Sequence, residues 1–499
     1  MLFHDIFVHH PKEREAIIDQ DRSVTYGEFQ DLVERWAAYF EALGVKKGDR
    51  VGLVSKNCLE LIVTYFAVIK AGGVIVPINF QLVPREIAYI VKDTAMKLLV
   101  VKEALPLAEP LQELSATSLM QITFDELHHA PEQEFVPVSL TETDPSTIIY
   151  TSGTTGKPKG AMLSHGNLYA NARDFMESIP LTAEDTALCV LPMYHCFAWT
   201  VCVAGPLLCG GRIVIQAVYQ FKAAMRLVKQ YGVTMFTGVP AVYRLLHESR
   251  DLDSVDSVRY FISGGAPLGL DLARGFALKF GRPVLEGYGL SEASPVVSVN
   301  LPHKVKVGSI GPTIAHVKAK IINAHGEEVP HFERGELLVK GPNVMLGYLN
   351  LPDATAKAIE KDGWLHTGDV GYMDEDGFIF LVDRVKDMII SSGENVYPRE
   401  IEEVVSAYPG VAECSVIGIP DALRGQAICL YVVPREGETI DKKALRQYLI
   451  GRIAPYKVPR EYFLVESLPK TALGKVRKNV LRDETVAILS KNKFAGRAL

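Results

Sequence analysis

The sequence predicts an α/β protein: a large N-terminal domain of mixed α/β sheets carrying a β-rich subdomain, then a small α+β C-terminal domain. Three observations predict it. Short apolar runs such as Arg50-Val51-Gly52-Leu53-Val54, Val74-Ile75-Val76-Pro77-Ile78 and Lys97-Leu98-Leu99-Val100-Val101 alternate with stretches of helical period. Strands that apolar are buried on both faces, as in a parallel sheet covered by crossover helices. From about Ile310 the pattern changes to short strands and turns, and after Asp387 helix and strand alternate again on their own.

Taken in order, Thr25-Tyr26-Gly27-Glu28 is a Thr-x-x-Glu capping box. Phe29, Leu32, Val33, Trp36 and Phe40 follow at helical spacing, and Gly44 ends the helix. The strand at 50–54 leads to a helix over Leu59–Ala71, then to the strands at 74–78 and 97–101. Residues 103–143 are weakly patterned and read as surface connections. Ser146-Thr147-Ile148-Ile149-Tyr150 is a strand, and a helix begins near Ser164. Leu188–Pro192 is a strand. The apolar run Cys196–Gly211 contains Pro206 and ends in glycines, so it reads as a buried helix and not a membrane span. Arg212–Ile215 is a strand and Phe221–Tyr231 a helix. The strands at 234–240, 259–267 and 283–292 each end in a loop bearing glycine or proline. Ligands of open α/β sheets collect outside such carboxyl ends.

Lys318–Ile322 and Gly335–Val339 are strands of the β-rich part, and Asp362–Asp369 and Asp374–Gly377 are turns. Phe378–Val382 runs into the charged Asp383-Arg384-Val385-Lys386-Asp387, which reads as a domain boundary. The expected domains are therefore 1–384, with its β-rich part over about 305–384, and 385–499. In the second, a helix starts at Pro398 with Ile401, Val404, Val405 and Tyr408 on one face and stops at Pro409-Gly410. Cys414–Gly418, Ile428–Val432 and Leu464–Leu468 are strands, and Lys442–Arg452 a helix.

Composition narrows the function. The chain has 499 residues, 48% hydrophobic and 22% charged, with net charge −6. Nothing in that balance advertises a nucleic-acid partner. The start, Met1-Leu2-Phe3-His4-Asp5, lacks the basic-then-apolar form of a signal peptide, so a cytoplasmic location is expected. The cysteines are odd in number and no pair has CxxC spacing, which predicts reduced thiols with neither a zinc site nor a disulfide framework. Peripheral membrane contact and a homodimer stay open.

Chemistry concentrates in Thr151-Ser152-Gly153-Thr154-Thr155-Gly156-Lys157-Pro158-Lys159-Gly160. Glycines let a backbone turn its N–H groups toward an anion; hydroxyls add donors and lysines add charge. This suits a loop that holds a polyphosphate. It is not a Walker A loop, because Thr151 stands at the first glycine position and Pro158 follows Lys157.

This loop resembles the phosphate loop of adenylate-forming enzymes, the superfamily of acyl-CoA synthetases, peptide-synthetase adenylation domains and firefly luciferase. Gly287-Tyr288-Gly289-Leu290-Ser291-Glu292 is similar to its adenine and magnesium motif, and Thr367-Gly368-Asp369 to its ribose motif. Asp383–Asp387 resembles its hinge, Ser391–Pro398 the segment after it, and Pro469–Lys475 the loop carrying its catalytic lysine. These motifs stand in the right order over roughly residues 20–480.

The resemblance implies a two-step reaction with a C-terminal domain that moves about the hinge. A carboxylate attacks the α-phosphate of ATP, giving an acyl-adenylate and pyrophosphate; the thiol of coenzyme A then takes the acyl group. It implies Lys475, Glu292 and His195 as catalytic residues, with Glu292 and Thr151 holding Mg²⁺. Thr151–Lys157, Gly265, Ala266, Pro267, Gly287, Tyr288, Gly289, Ser291, Asp369, Arg384, Lys386 and Gly393 would line the nucleotide and thiol sites. The segment Tyr194-His195-Cys196-Phe197 lacks the carboxylate with which amino-acid-activating relatives hold an ammonium group. Small residues at Gly264, Gly265, Ala266 and Gly289, with apolar Val239, Val296 and Val297, imply room for a medium- or long-chain fatty acid. The alternatives are an aryl acid, or a carrier protein in place of coenzyme A.

Overall fold

The structure, a computed structural model, describes every residue except 116–118, 132, 152–157, 250–254, 385, 392–393, 422–424, 451, 472–473 and 496–499; side chains at 394–395 and 489–495 are likewise left aside. The chain divides into two compact units, Met1–Ala319 with Leu338–His366, and Lys320–Leu337 with Thr367–Leu499.

The first unit holds two large sheets. One has seven strands, in the order Gly347–Tyr348, Lys159–Ser164, Pro145–Thr151, Val74–Ile78, Arg50–Val54, Leu98–Val101, Met120–Thr123. The other has eight: Val296–Val299, Val284–Gly289, Tyr260–Ser263, Met235–Gly238, Thr186–Cys189, Arg212–Ile215, Glu15–Asp19, Arg22–Thr25. The interior pairings of both are parallel and the hairpins lie toward the edges. The mixed α/β class therefore stands.

The helix Leu59–Lys70 shows why the first unit needs so much apolar sequence. Every residue from Leu59 to Ile69 except Glu60 is buried. An all-round apolar helix belongs in a core. Tyr65 stacks on Trp199 at 3.7 Å between ring centroids, and Phe66 packs on Trp199 and Phe29. Trp199 lies in the Cys196–Gly211 run, which is helical and buried as the sequence implies: Cys196–Ala198, a wider π-type turn over Trp199–Ala204, then Gly205–Cys209 with Gly210 at φ +78°. The capping box at Thr25 forms with both of its bonds, 3.2 Å to Glu28 N and 2.8 Å to Glu28 Oε2.

Several elements depart from expectation. The stretch 103–143 is not simply surface connection: Met120–Thr123 extends the seven-stranded sheet in parallel register with Leu98–Val101, and Thr123 and Glu126 form a second capping box that starts Phe124–His128. The strand Lys159–Ser164, antiparallel to Pro145–Thr151, stands between the phosphate loop and the helix His165–Ser178.

In the second unit Asp369–Met373 and Ile379–Arg384 pair antiparallel, directly opposing Asp369 and Arg384. Val411–Asp421 and Gly425–Pro434 form a long hairpin over the helix Pro398–Ser406, with Val405, Val416, Leu430 and Leu445 in one core. The strand expected at 464–468 lies instead at Glu461–Leu464, parallel to Cys429–Val432. Leu468, the far end of the expected strand, packs with Leu481 of a helix over Lys478–Ala495. All seven cysteines are free thiols, and no helix among the described residues is long and apolar enough to cross a membrane.

Candidate active site

Sheet register gathers the candidate residues of the first unit. Gly238 pairs with Ser263, and Ser263 with Glu286, so three parallel strands end in one row. At about 4.8 Å between strands, the loops that follow are neighbours. They are Val239-Pro240, Gly264–Leu268 and, at the end of the strand Val284–Gly289, the turn Leu290–Glu292. A buried carboxylate ties two of them: Glu286 accepts a 3.0 Å bond from Leu268 N. Gly265 has φ +78°, a conformation that only glycine adopts without strain, and it is exposed beside half-buried Ala266 and exposed Pro267.

His195 reaches this row from the neighbouring strand end. Buried Asn57 holds the loop below it, donating to Leu191 O at 2.8 Å and accepting from Met193 N at 2.8 Å. His195 Nδ1 accepts from Phe197 N at 3.2 Å, which puts the ring proton on Nε2. Burial lowers its pKa to about 4, so it is neutral at neutral pH and acts as a hydrogen-bond donor. The next residue, Cys196, places its sulfur 3.3 Å from the buried Ser291 hydroxyl. The His195 turn and the Leu290–Glu292 turn are thus in contact.

Glu292 is held from two sides. Its carbonyl accepts from Met345 N at 2.9 Å, and its Oε1 accepts from the Tyr348 hydroxyl at 2.8 Å. Tyr348 lies opposite Ala161 on the strand leaving the phosphate loop, and Lys159 Nζ sits 5.1 Å from its ring centroid. Thr151 and Lys159 pair across the stem of that loop. Ser152, Gly153, Thr154, Thr155, Gly156 and Lys157 lie outside the described residues, as does Gly393. A carboxylate held through one oxygen by a phenol keeps its other oxygen for a hard cation, so Glu292 fits a magnesium–nucleotide group.

Of the small residues read as pocket space, Gly265 has room beside it, its Cβ position lying 3.9 Å from Val239, whereas Gly289 and Gly264 are closely approached. A Cβ on Gly289 would stand 2.2 Å from Pro295 O, and one on Gly264 would stand 2.9 Å from the Phe197 ring. Val297 is fully buried and Val296 nearly so. Gly289 is glycine because the antiparallel pair Val284–Gly289 and Val296–Val299 closes on it, and Gly264 seats Phe197. At both positions the Cβ direction is occupied, so the missing side chain is not by itself free space.

In the second unit Asp369 is buried and meets Arg384 Nε at 2.9 Å. Thr367 Oγ1 donates to Leu337 O and accepts from Asp369 N, while Gly368, at φ +69°, donates its N–H to Glu336. Asp383 accepts from Arg399 N at 2.9 Å and Arg384 N at 2.7 Å, and burial raises its pKa. Lys386 is pulled down by burial and by Arg384. Lys475 lies on a turn closed by Thr471 N to Lys475 O at 2.8 Å, with Gly474 at φ +77°. Its side chain is exposed, yet surrounding protein and the Arg384 guanidinium lower its pKa to about 8 against the pull of Asp369. Asp369, Arg384, Lys386 and Lys475 thus belong to one electrostatic group.

Sequence reasoning missed Tyr348, Asn57 and Glu286. Each acts on a residue distant in sequence or through the backbone, so no local motif announces it. Asp174, Glu177 and His316 also come together, but the Arg173 guanidinium already holds Asp174 at 2.7 Å, so the group is an ion-pair cluster.

Glycine-bearing loops at the ends of parallel strands, a tethered acidic residue beside a phosphate-type loop, and a buried Asp–Arg pair define a nucleotide-handling α/β protein. The comparisons make this specific: residues 4–349 match the family described as AMP-binding enzyme and 400–475 its C-terminal domain, and the chain belongs to that family. It is 38% identical over 465 residues to feruloyl-CoA synthase of an Amycolatopsis species, covering 92% of this chain and 94% of that protein. It is 33% identical over 518 residues to a long-chain-fatty-acid–CoA ligase of Bacillus subtilis strain 168, covering 95% and 92%. ATP-bound MatB from Rhodopseudomonas palustris superposes with a TM-score of 0.91 at 32% identity, covering 97% of this chain and 99% of that one.

Proposed function

We propose that the protein is an AMP-forming acid–CoA ligase. The observation that carries the reading is the tethered Glu292, fixed by Tyr348 and Met345 beside the stem of the phosphate loop. The carboxylate oxygen of the acid forms a bond to the α-phosphorus, the bond to the β-phosphate oxygen breaks, and pyrophosphate leaves. The thiolate of coenzyme A then forms the thioester and AMP leaves.

Each residue has a part. Thr151–Lys157 hold the β- and γ-phosphates, and Gly265–Pro267 with Gly287–Gly289 and Ser291 form the adenine side. Asp369, aligned by Arg384, accepts from the ribose hydroxyls. His195 donates Nε2–H to the acid's carboxylate and orients it. Glu292, with Thr151, would hold magnesium, which offsets phosphate charge when bound. Lys475 supplies the positive charge needed when two anions approach. Division of the chain at 384/385, with Lys386 as pivot and Gly393 beside the thiol path, belongs to the same proposal.

The substrate is proposed to be a medium- or long-chain fatty acid, supported by apolar Phe197 and Val239 and by the ligase from Bacillus subtilis. A second reading, an aryl acid, is favoured by the likeness to feruloyl-CoA synthase. Pyrophosphate release with ATP, Mg²⁺ and a panel of fatty and aryl acids tests both. The expected result is acid-dependent release followed by consumption of coenzyme A. Release that no acid stimulates, or phosphate in place of pyrophosphate, sinks the ligase reading.

A further inference from the structure

Glu292 cannot be aimed by its own loop alone. It sits in a single 3-10 turn, Ser291–Ala293, and its side chain is only half-buried. A glutamate so placed has three torsions that move its oxygens, and a cation site needs its ligands held. The holding comes from 343–349. Asn343 Nδ2 donates to Ala293 O at 2.9 Å, Ser294 Oγ donates to Asn343 O at 2.8 Å, and Met345 N donates to Glu292 O. The strap then joins the seven-stranded sheet: Leu346 N bonds Met162 O and Leu349 N bonds Gly160 O. Between those rungs Tyr348 projects to Glu292. Gly347 is at φ +140°, where a Cβ would meet Thr355 at 2.7 Å, and Thr355 Oγ1 accepts from Tyr348 N at 2.8 Å. The phenol is therefore fixed at its backbone, and its hydroxyl is fixed at the carboxylate.

We infer that Tyr348 is a positioning residue for the divalent cation of the reaction: its hydroxyl takes Oε1 of Glu292, presents Oε2 to the cation, and ties that carboxylate to the strand leaving the phosphate loop. The inference rests on the proposed role of Glu292. Lys159, 5.1 Å from the phenol ring, strengthens the phenol as a donor to the carboxylate.

The test is Mn²⁺ binding to the full chain with ATP, read as loss of the free-ion EPR signal, for wild type, Tyr348→Phe, Glu292→Gln and the double variant. Tyr348→Phe should weaken Mn²⁺ binding about tenfold, the worth of one hydrogen bond to a charged group. Affinity for AMP without metal, and the thermal midpoint, should stay at wild-type values. In the Glu292→Gln background the same change should add nothing, because Tyr348 acts through that carboxylate. Unchanged Mn²⁺ affinity in Tyr348→Phe, with a loss in Glu292→Gln, overturns this inference alone. An equal loss of AMP affinity in Tyr348→Phe also overturns it, since the change would then act on the fold. Unchanged affinity in Glu292→Gln overturns the metal role of Glu292, and this inference with it.

Discussion

Lys475 offers the sharpest prediction, because its environment sets both its charge and the pH at which that charge is lost. Its pKa is lowered from 10.5 to about 8, first by desolvation from the surrounding protein and then by Arg384. The charged form is the one that can neutralise two anions, so activity is present below the pKa and lost above it. With a pKa near 8, the protonated fraction falls about tenfold between pH 7 and pH 9; at an ordinary lysine value it would hardly change. The assay is ATP–pyrophosphate exchange, with kcat/KM followed over pH 6–10, since that ratio reports the free enzyme. Wild type should show an alkaline limb near pH 8. Lys475→Arg, whose charge persists throughout, should keep part of the activity and lose the limb. Lys475→Ala should lower exchange by about 10²–10³. A flat wild-type profile to pH 9.5, or a limb that survives in Lys475→Arg, would refute the argument.

Three further outcomes follow from the geometry. Gly289→Ala, whose Cβ would lie 2.2 Å from Pro295 O, should cost about 1–3 kcal/mol in urea unfolding, whereas Gly269→Ala, with open space around it, should lose only the smaller helix-capping preference of glycine over alanine. If Gly289→Ala is neutral and merely shortens the acyl preference, the position is a pocket wall after all. Asp369→Asn should weaken ATP and AMP binding about ten- to hundredfold by calorimetry, because a charged acceptor aligned by Arg384 is lost. Asn57→Ala leaves buried partners at Leu191 and Met193 and should destabilise by about 2–3 kcal/mol, while raising KM for the acid more than KM for ATP.

The grouping of the proposed site's loops was legible, because strand ends with glycine-bearing turns mark where such loops collect. The loops at 264–268 and 290–292 could be placed from strand ends alone, and the register of Gly238, Ser263 and Glu286 brings them together. What failed is instructive. The strand at Met120–Thr123 was hidden by weak alternation, though Thr123 and Glu126 carried a readable cap. Gly264 and Gly289 were read as missing side chains, but the space beside a glycine belongs to whatever backbone or ring approaches it, and composition does not reveal that. Tyr348 could not be assigned because its partner, Glu292, lies 56 positions away and is reached through an edge strand of two residues.

The free cysteines carry a last consequence. Burial pushes the thiols of Cys58, Cys196, Cys414 and Cys429 up to about 12 and that of Cys209 to about 11. Only a thiolate attacks an activated acyl group effectively. Cys196 stands beside Ser291 of the proposed nucleotide loop, so a thiolate there would be a competing nucleophile in the proposed reaction. Kept neutral, it is an innocent neighbour, and the enzyme is protected from acylating itself. The same inertness means that these five thiols should add little background when a disulfide reagent is used to follow coenzyme A.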